Sequence, residues 1–207
     1  MKSSKSCAAI LLAAGRSSRM GAFKPLLPFG NKTVIECCID YLRAGGIEDV
    51  VVVLGHRAEE IRQHVSGVTF AVNPDPDSEM GASIEAGIRQ LPETTQATLI
   101  ALVDHPAVPS EVVTTLLDSW QNGAHIVIPT WQGRGGHPVL VDLSFQSELL
   151  NLPATGGLRA LFEAHRNDVK RVPVESPFIA RDMDTWDDYS ALHLEVTGRP
   201  APEPPCD

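Results

Sequence analysis

The segment "LLAAGRSSRMGAFKPLLPFG", residues 11–30, continues an apolar run that begins at Cys7 and then turns abruptly polar and glycine-rich. The run "CAAILLA", residues 7–13, has the length and apolar character of a buried strand. The loop after it contains Gly15, Gly21, Arg16, Arg19 and Lys24. Because ligands of open α/β sheets bind beyond the carboxyl ends of the strands, this order predicts a strand followed by an anion-binding loop.

The glycine spacing of this loop fits neither of the two common nucleotide motifs. Gly15 and Gly21 are six residues apart, which matches neither GxGxxG nor GxxxxGK[ST]. The backbone N–H groups, together with the hydroxyls of Ser17 and Ser18, could still hold phosphate oxygens while the loop cations supply charge. A solvated basic loop is the alternative that the loop chemistry alone leaves open.

Composition restricts the class of protein. A chain of 207 residues can bury one sizeable core, so we expect a single domain. The net charge of −9 argues against nucleic acid as the main partner, and no apolar run is long enough to cross a bilayer. The basic, apolar amino terminus resembles a short secretory leader, but we interpret Cys7–Ala14 as a buried strand because the glycine-rich loop follows at once.

The four cysteines show no pattern of a zinc or redox site. Cys7, Cys37, Cys38 and Cys206 lack the CxxC spacing, which favours reduced thiols and a cytoplasmic location.

Beyond the loop, apolar runs alternate with amphipathic segments, which predicts an α/β domain with a mostly parallel central sheet and helices on both faces. The predicted strands are 7–13, 49–55, 68–72, 97–103, 124–130, a turn and strand within 131–141, and 169–175. The predicted helices are 33–46, 58–65, 81–91, 109–120, 156–166 and 185–196. From Gly198 the chain is proline-rich, so we expect a domain over 1–197 and a disordered tail over 198–207.

Five segments, in order, resemble the molybdenum-cofactor nucleotidyltransferase family, and especially its cytidylyltransferase branch. They are "LAAGRSSRMGAFKPLLPFG" (12–30), "NPDPDSEMGASIEAGI" (73–88), "ALVDHPAV" (101–108), "GRGGHPVL" (133–140) and "DMDTWDDY" (182–189). The resemblance implies a Rossmann-like, Mg²⁺-dependent enzyme that moves CMP from CTP to the terminal phosphate of molybdopterin cofactor and releases pyrophosphate. It also implies transient contact with a recipient molybdoenzyme or chaperone.

The resemblance further assigns roles to individual residues. Arg19, Lys24 and Asp104 are the expected catalytic residues, and Asp104 with Asp184 would bind Mg²⁺. His137 is expected to contact the acceptor. The expected nucleotide-binding residues are Leu12, Ala13, Ala14, Gly15, Arg16, Ser17, Ser18, Arg19, Lys24, Asn73, Met80, Gly81 and Ser83.

Structural alternatives exist for most of these residues. Asp104 precedes Pro106 and could cap a helix, and Asp182, Asp184 and Thr185 could cap the last one. Met80, Gly81 and Ser83 could likewise be an ordinary helix start, and a lone histidine such as His137 is usually structural.

The chain also departs from the family pattern, and other functions remain open. Thr155 stands where the cytidylyltransferase branch often has an aspartate, Val103 where many relatives have glycine, and His105 where Gln or Met is usual. The alternatives are a guanylyltransferase, transfer of NMP to another phosphorylated small molecule, and a non-catalytic nucleotide-binding or cofactor-assembly module. A nucleotide-sugar glycosyltransferase would use "DMD", residues 182–184, as a metal motif.

Overall fold

A computed structural model describes residues 6–17, 20–75 and 78–203. The strands are β1 Cys7–Ala13, β2 Pro28–Phe29, β3 Lys32–Thr33, β4 Val50–Leu54, β5 Thr69–Val72, β6 Ala97–Leu102, β7 Ile126–Trp131, β8 Arg134–Gly135, β9 Val139–Asp142 and β10 Val169–Pro173. The helices are α1 Val34–Ala44, α2 Ala58–His64, α3 Met80–Ile88, α4 Ser110–Gln121, α5 Gln146–Leu149, α6 Gly157–Ala164 and α7 Trp186–Thr197. Strands and helices alternate along most of the chain, as the sequence predicts.

The main sheet has the order β10-β7-β9-β6-β1-β4-β5, and β8 pairs with β7. Strand β1 lies between β4 and β6 and is parallel to both, which explains its uninterrupted apolar sequence, because a strand covered on both faces needs no polar side. Strand β9 runs antiparallel to β6 and β7. The predicted single-domain, mostly parallel α/β sheet is therefore confirmed.

Helices cover both faces of this sheet, and the side chains of β1 alternate between two separate hydrophobic clusters, one on each face. Ala9 and Leu11 belong to the cluster that contains residues of α1, α2 and α4. Ile10 and Leu12 belong to the cluster that contains residues of α3, α5 and α6. This division is the period-2 alternation of a strand buried on both sides.

The last helix closes a third cluster at the β2–β3 hairpin. Its start is fixed by a capping box, in which Thr185 accepts from the Asp188 N–H and Asp188 accepts from the Thr185 N–H. Tyr189, fully buried, donates its hydroxyl to the Pro28 carbonyl at 2.5 Å. This contact joins the carboxyl-terminal helix to the chain segment that follows the first loop.

Packed residues continue past the boundary predicted at residue 197. His193 Nδ1 lies 2.9 Å from the Arg199 carbonyl oxygen, and Ala201 packs against the third cluster. Residues 204–207 of the predicted tail lie outside the described residues, so the domain bounds stay a prediction. Cys7, Cys37 and Cys38 are free thiols, whereas Cys206 also lies outside the described part of the chain. Within that part, no helix has the length and apolarity that a membrane span requires.

Parallel pairing brings several loops to one edge of the sheet. The segments after β1, β4, β5 and β6 leave at their carboxyl ends, and the antiparallel β9 begins at the same edge. The loop after β1, the segment that starts at Val103 and the turn that contains His137 therefore meet there.

Candidate active site

A cavity of about 410 Å³ opens at this edge of the sheet. It is lined by the loop after β1, the segment before α3, the end of β6 and one residue before α7. The lining residues are Leu12, Ala14, Gly15, Ser17, Lys24, Pro25, Asn73, Ser78, Met80, Ser83, Leu102, Val103, Asp104 and Asp184. Segments far apart in sequence, which the resemblance had grouped, thus share one cavity.

Not every residue expected to bind nucleotide lines the cavity. The Ala13 side chain belongs to the hydrophobic cluster on the opposite face of the sheet, and Arg16 is exposed. Gly81 faces the backbone and side chain of Leu152. Ser18 and Arg19 lie outside the described residues. The roles of all five in nucleotide binding stay predictions.

Lys24 is the centre of charge in the cavity. It begins a 3₁₀ turn, Lys24–Leu26, and only 10% of its side chain is exposed. Its ammonium Nζ lies 3.2 Å from Asp184 Oδ1 and 3.7 Å from Asp104 Oδ2. Its backbone N–H donates to Ser17 Oγ at 3.2 Å, which ties the lysine to the glycine-containing loop. One cation is therefore held between two carboxylates that are 80 and 160 residues away from it in sequence.

Asp104 lies two residues after the end of β6 and is held by the next residue, His105. His105, which is buried, places Nδ1 2.7 Å from Asp104 Oδ1. Burial raises the pKa of Asp104, but the His105 hydrogen bond and the nearby positive charges of His105 and Lys24 outweigh it and lower the pKa overall. The carboxylate is thus ionised at neutral pH. A capping role for Asp104 is wrong, because α4 begins only at Ser110 after Pro109.

Asp184 comes immediately before the amino-terminal cap of α7. The side chains that cap this helix are those of Thr185 and Asp188. The Asp184 carboxylate, 40% exposed, instead contacts Lys24 and lines the cavity. Asp184 therefore does not cap α7, and its position just before the helix directs its carboxylate towards Lys24.

Asn73 organises the opposite wall. This buried side chain donates from Nδ2 to Ser78 Oγ at 2.8 Å and to Ser83 Oγ at 2.9 Å, and its Oδ1 accepts from the Asp75 N–H at 3.1 Å. Because Ser83 lies in the first turn of α3, this network fixes the start of the helix against the cavity. Met80, 45% exposed, stands at the rim.

His137 lies beside this cavity without lining it. Its ring centroid is 5.9 Å from that of His105, and its backbone N–H donates to the Ile179 carbonyl at 2.7 Å. Burial, followed by the positive charge of His105, lowers the pKa of His137 from 6.5 to about 4. The imidazole is neutral at pH 7.

This pKa predicts a loss of stability in acid. A histidine with a lowered pKa takes up its proton less readily in the folded chain than in the unfolded one, so stability falls as the pH drops from 6.5 towards 4. We expect His137→Gln to reduce the acid-induced loss of unfolding free energy between pH 7 and pH 4 by about 2 kcal/mol, allowing for partial exposure of the ring. Urea unfolding at both pH values measures the effect. His56→Gln, which changes an exposed histidine, is the control, and an equal acid-induced loss in wild type and His137→Gln would contradict the expectation.

The carboxylates set limits on how a metal could bind. Among the described residues, no group of three or more His, Cys, Asp or Glu side chains has the geometry of a metal site. Asp104 and Asp184 both line the cavity and both contact Lys24 Nζ, and Mg²⁺ commonly binds through one or two carboxylates with water and substrate phosphates completing the shell. The donor set therefore fits a divalent ion that binds together with a triphosphate.

Several residues of the site were not found from the sequence. Ser78, Pro25 and Leu102 line the cavity, and His105 holds Asp104. Ser78 lies inside the segment 73–88, and its polar side chain between Asn73 and α3 was the available signal. In the sequence, His105 stands out only as a departure from the family pattern.

Residues 9–169 match the family described as the MobA-like NTP transferase domain. The chain belongs to this family. The predicted family resemblance is confirmed, and nucleotidyltransferases of the MobA-like family typically use divalent metal ions.

Named relatives of this MobA-like chain have more than one activity. The nicotine blue oxidoreductase of Paenarthrobacter nicotinovorans is 34% identical over 187 residues, which cover 85% of this chain and 91% of that protein. The molybdenum cofactor cytidylyltransferase of Escherichia coli (strain K12) is 26% identical over 183 residues, covering 87% and 92%. The solved structure of Rv0371c from Mycobacterium tuberculosis H37Rv has a TM-score of 0.83 at 26% identity, covering 92% of this chain and 99% of its own. Its manganese complex has a TM-score of 0.79 at 24% identity, covering 93% and 100%.

Proposed function

We propose that this protein transfers CMP from CTP to the terminal phosphate of molybdopterin cofactor and releases pyrophosphate. The observation that carries the proposal is the buried Lys24 ammonium, held between Asp104 and Asp184 in a cavity at the carboxyl edge of the sheet. Membership of the NTP transferase family supports nucleotidyl transfer in general. The similarity to a molybdenum cofactor cytidylyltransferase over most of the chain supports this nucleotide and this acceptor.

The chemistry requires neutralisation of negative charge, because an acceptor phosphate must approach the α-phosphorus of a triphosphate while pyrophosphate leaves. Lys24 places a positive charge in the cavity where phosphate oxygens would lie, and the backbone at Gly15 and Ser17 approaches the same space. Asp104 and Asp184 would hold the divalent ion, which when bound supplies charge neutralisation and aligns the phosphates. The His105 hydrogen bond to Oδ1 fixes the orientation of the Asp104 carboxylate.

The start of α3 would form the wall of the cavity that contacts the nucleotide. The Asn73 network holds Ser83 and Ser78 in place, and we assign Met80 and Ser83 to contact with the base and ribose. Arg19 would contact the triphosphate, and His137, beside His105, would contact the acceptor.

We expect CTP to be used in preference to GTP by at least about tenfold in kcat/KM. Guanylyl-transferring relatives resemble LAGGxSxRMGxDK, whereas this chain has Ala14 and, before Lys24, Phe23 in place of an acid. Purified protein with Mg²⁺, molybdopterin cofactor and equimolar CTP and GTP, followed by mass spectrometry of the products, measures the preference. A GTP-derived dinucleotide as the main product would exclude the cytidylyl assignment, and a control without acceptor identifies simple NTP hydrolysis.

A second candidate follows from the relative that is 34% identical and named nicotine blue oxidoreductase. The apolar part of the cavity, which includes Leu12, Met80 and Leu102, could take an organic compound beside a nucleotide cofactor. Mixing the protein with nicotine blue and NADH or NADPH, without added metal, and following the absorbance of both compounds tests this activity. Metal-independent turnover there, with no dinucleotide product from CTP, would replace the transferase proposal.

A further inference from the structure

A second cavity, of about 750 Å³, lies beside α6 and the strands β7, β9 and β10. No residue of the proposed nucleotide site lines it, and His137 is the only residue with a proposed role among its lining residues.

The cavity combines an apolar floor with a basic rim. Ile128, Val139 and Val169 come from the sheet, and Phe162 from α6. Three arginines stand at the rim against a single acidic residue, Glu163. In a chain with a net charge of −9, this is a local excess of positive charge.

Two of these arginines are available to a ligand. Arg159 Nε lies 3.0 Å from Glu163 Oε1, so that pair is already formed. Arg166 and Arg171 form no ion pair with any residue in the ranges 6–17, 20–75 and 78–203. Their guanidinium groups can therefore bind the two oxygens of a carboxylate or phosphate group without giving up another partner.

A glycine makes room for one of these side chains. A Cβ atom at Gly135 would lie 3.2 Å from Arg171 Nη1 and 3.2 Å from Ile128 Cγ2. Glycine at this position thus lets the guanidinium reach over the apolar floor. The neighbouring Gly136 leaves no room for a side chain either, since its Cβ would lie 2.1 Å from the Ile179 carbonyl oxygen, and this close approach fixes the turn that carries His137.

The second cavity adjoins the proposed reaction site through two neighbouring imidazoles, whose planes are tilted by 59°. His137 lines the second cavity, its ring centroid is 5.9 Å from that of His105, and His105 contacts Asp104 at 2.7 Å. A molecule whose phosphate reaches Asp104 and Lys24 could therefore extend past His137 onto the apolar floor.

We propose that the second cavity binds the distal part of the acceptor, a body that packs on the apolar floor and carries a second anionic group, and that Arg166 and Arg171 bind this group. The assignment of the ligand as the acceptor rests on the proposed nucleotidyl transfer. The recognition of a molecule with a packed body and an anionic group rests on the cavity itself.

Two probes that differ in one charged group measure the contribution of that charge to binding. Pterin and pterin-6-carboxylate share the same flat heterocycle and differ in one anionic group, and their fluorescence reports binding. We expect wild-type protein to bind pterin-6-carboxylate at least about tenfold more tightly than pterin, since bidentate arginine contacts to a carboxylate are charge-assisted. The double variant Arg166→Gln/Arg171→Gln should bind both probes equally.

Lys170→Gln is the matched control, because this lysine neighbours Arg171 on β10 and does not line the cavity. It should keep the wild-type preference. Equal affinities for the two probes in wild type, or a preference that persists in the double variant, would overturn the proposal. Thermal midpoints of all variants confirm that each remains folded.

The titration contains no NTP and needs no turnover, so it is independent of the transfer assay. If no dinucleotide product forms but the charge-dependent binding is intact, the proposed function is refuted and the binding proposal stands. With transfer established, the double variant should raise the KM for molybdopterin cofactor by about tenfold or more and leave the KM for CTP unchanged. An unchanged KM for the acceptor would overturn the assignment of this cavity.

Discussion

Replacement of Lys24 by methionine is expected to lower the rate of nucleotidyl transfer by about a thousandfold. Methionine keeps much of the unbranched apolar stem and removes only the ammonium group that lies between Asp104 and Asp184. Loss of one preorganised charge at a phosphoryl-transfer site costs about 4 kcal/mol of transition-state stabilisation, which corresponds to this factor. Pyrophosphate release with CTP and acceptor measures the rate.

The same substitution leaves two carboxylates without their shared cation. Because the side chains of Asp104 and Asp184 are 24% and 40% exposed, solvent screens most of their repulsion, and we expect a loss of stability of only about 1 kcal/mol. Lys32→Met is the control, since Lys32 forms an exposed ion pair with Asp40 away from the cavity, and it should retain the wild-type rate. A Lys24→Met enzyme with normal turnover would remove this lysine from the mechanism.

The pairing around Lys24 shows what the sequence can and cannot reveal. Lys24 and Asp184 are 160 residues apart, so no spacing argument could place them together. The family resemblance selected both residues, together with Asp104, and the fold brings all three into one cavity. The ion pairs among them became visible only in the structure, because they depend on how the fold brings together the loop after β1, the end of β6 and the start of α7.

The longer strands and helices were predictable because their signals lie within a short stretch of sequence. Strand β1 is apolar at every position, and α1 begins at the capping box of Thr33 and Glu36, so local sequence suffices for both. The short elements were not predicted. Helix α5, Gln146–Leu149, has only four residues, and β8, Arg134–Gly135, has two, so neither is long enough to show a periodicity.

The second cavity could not be predicted from sequence at all. Arg159 lies on α6, Arg166 follows that helix, and Arg171 lies on the edge strand β10. Each is an ordinary exposed cation when considered alone. Only the fold places the three around an apolar floor, and the glycine at position 135 avoids a tight contact between a Cβ atom and the Arg171 guanidinium.

Asp104→Asn tests the proposed metal ligand, and we expect it to slow transfer by on the order of a hundredfold to a thousandfold. Asparagine keeps the size of the side chain and one acceptor oxygen, so it can still accept the hydrogen bond from His105 Nδ1. It loses the negative charge that a hard divalent cation requires, and it presents an NH₂ group towards the Lys24 ammonium. A loss of about 3 to 4 kcal/mol of transition-state stabilisation gives the expected factor.

A Mg²⁺ titration separates metal binding from a structural role of this carboxylate. If Asp104 holds the ion, the Asp104→Asn enzyme should need a higher Mg²⁺ concentration for half-maximal rate, while its thermal midpoint stays within a few degrees of wild type, about the shift that 1 kcal/mol produces in a chain of this size. If Asp104 serves only to fix His105, the rate and the Mg²⁺ dependence should both remain at wild-type values, because asparagine preserves that hydrogen bond. Asp118→Asn, an exposed substitution on α4, controls for the change of net charge. Wild-type rate and Mg²⁺ dependence in Asp104→Asn would exclude this residue as a metal ligand and would leave Asp184 and the substrate phosphates as the remaining candidates.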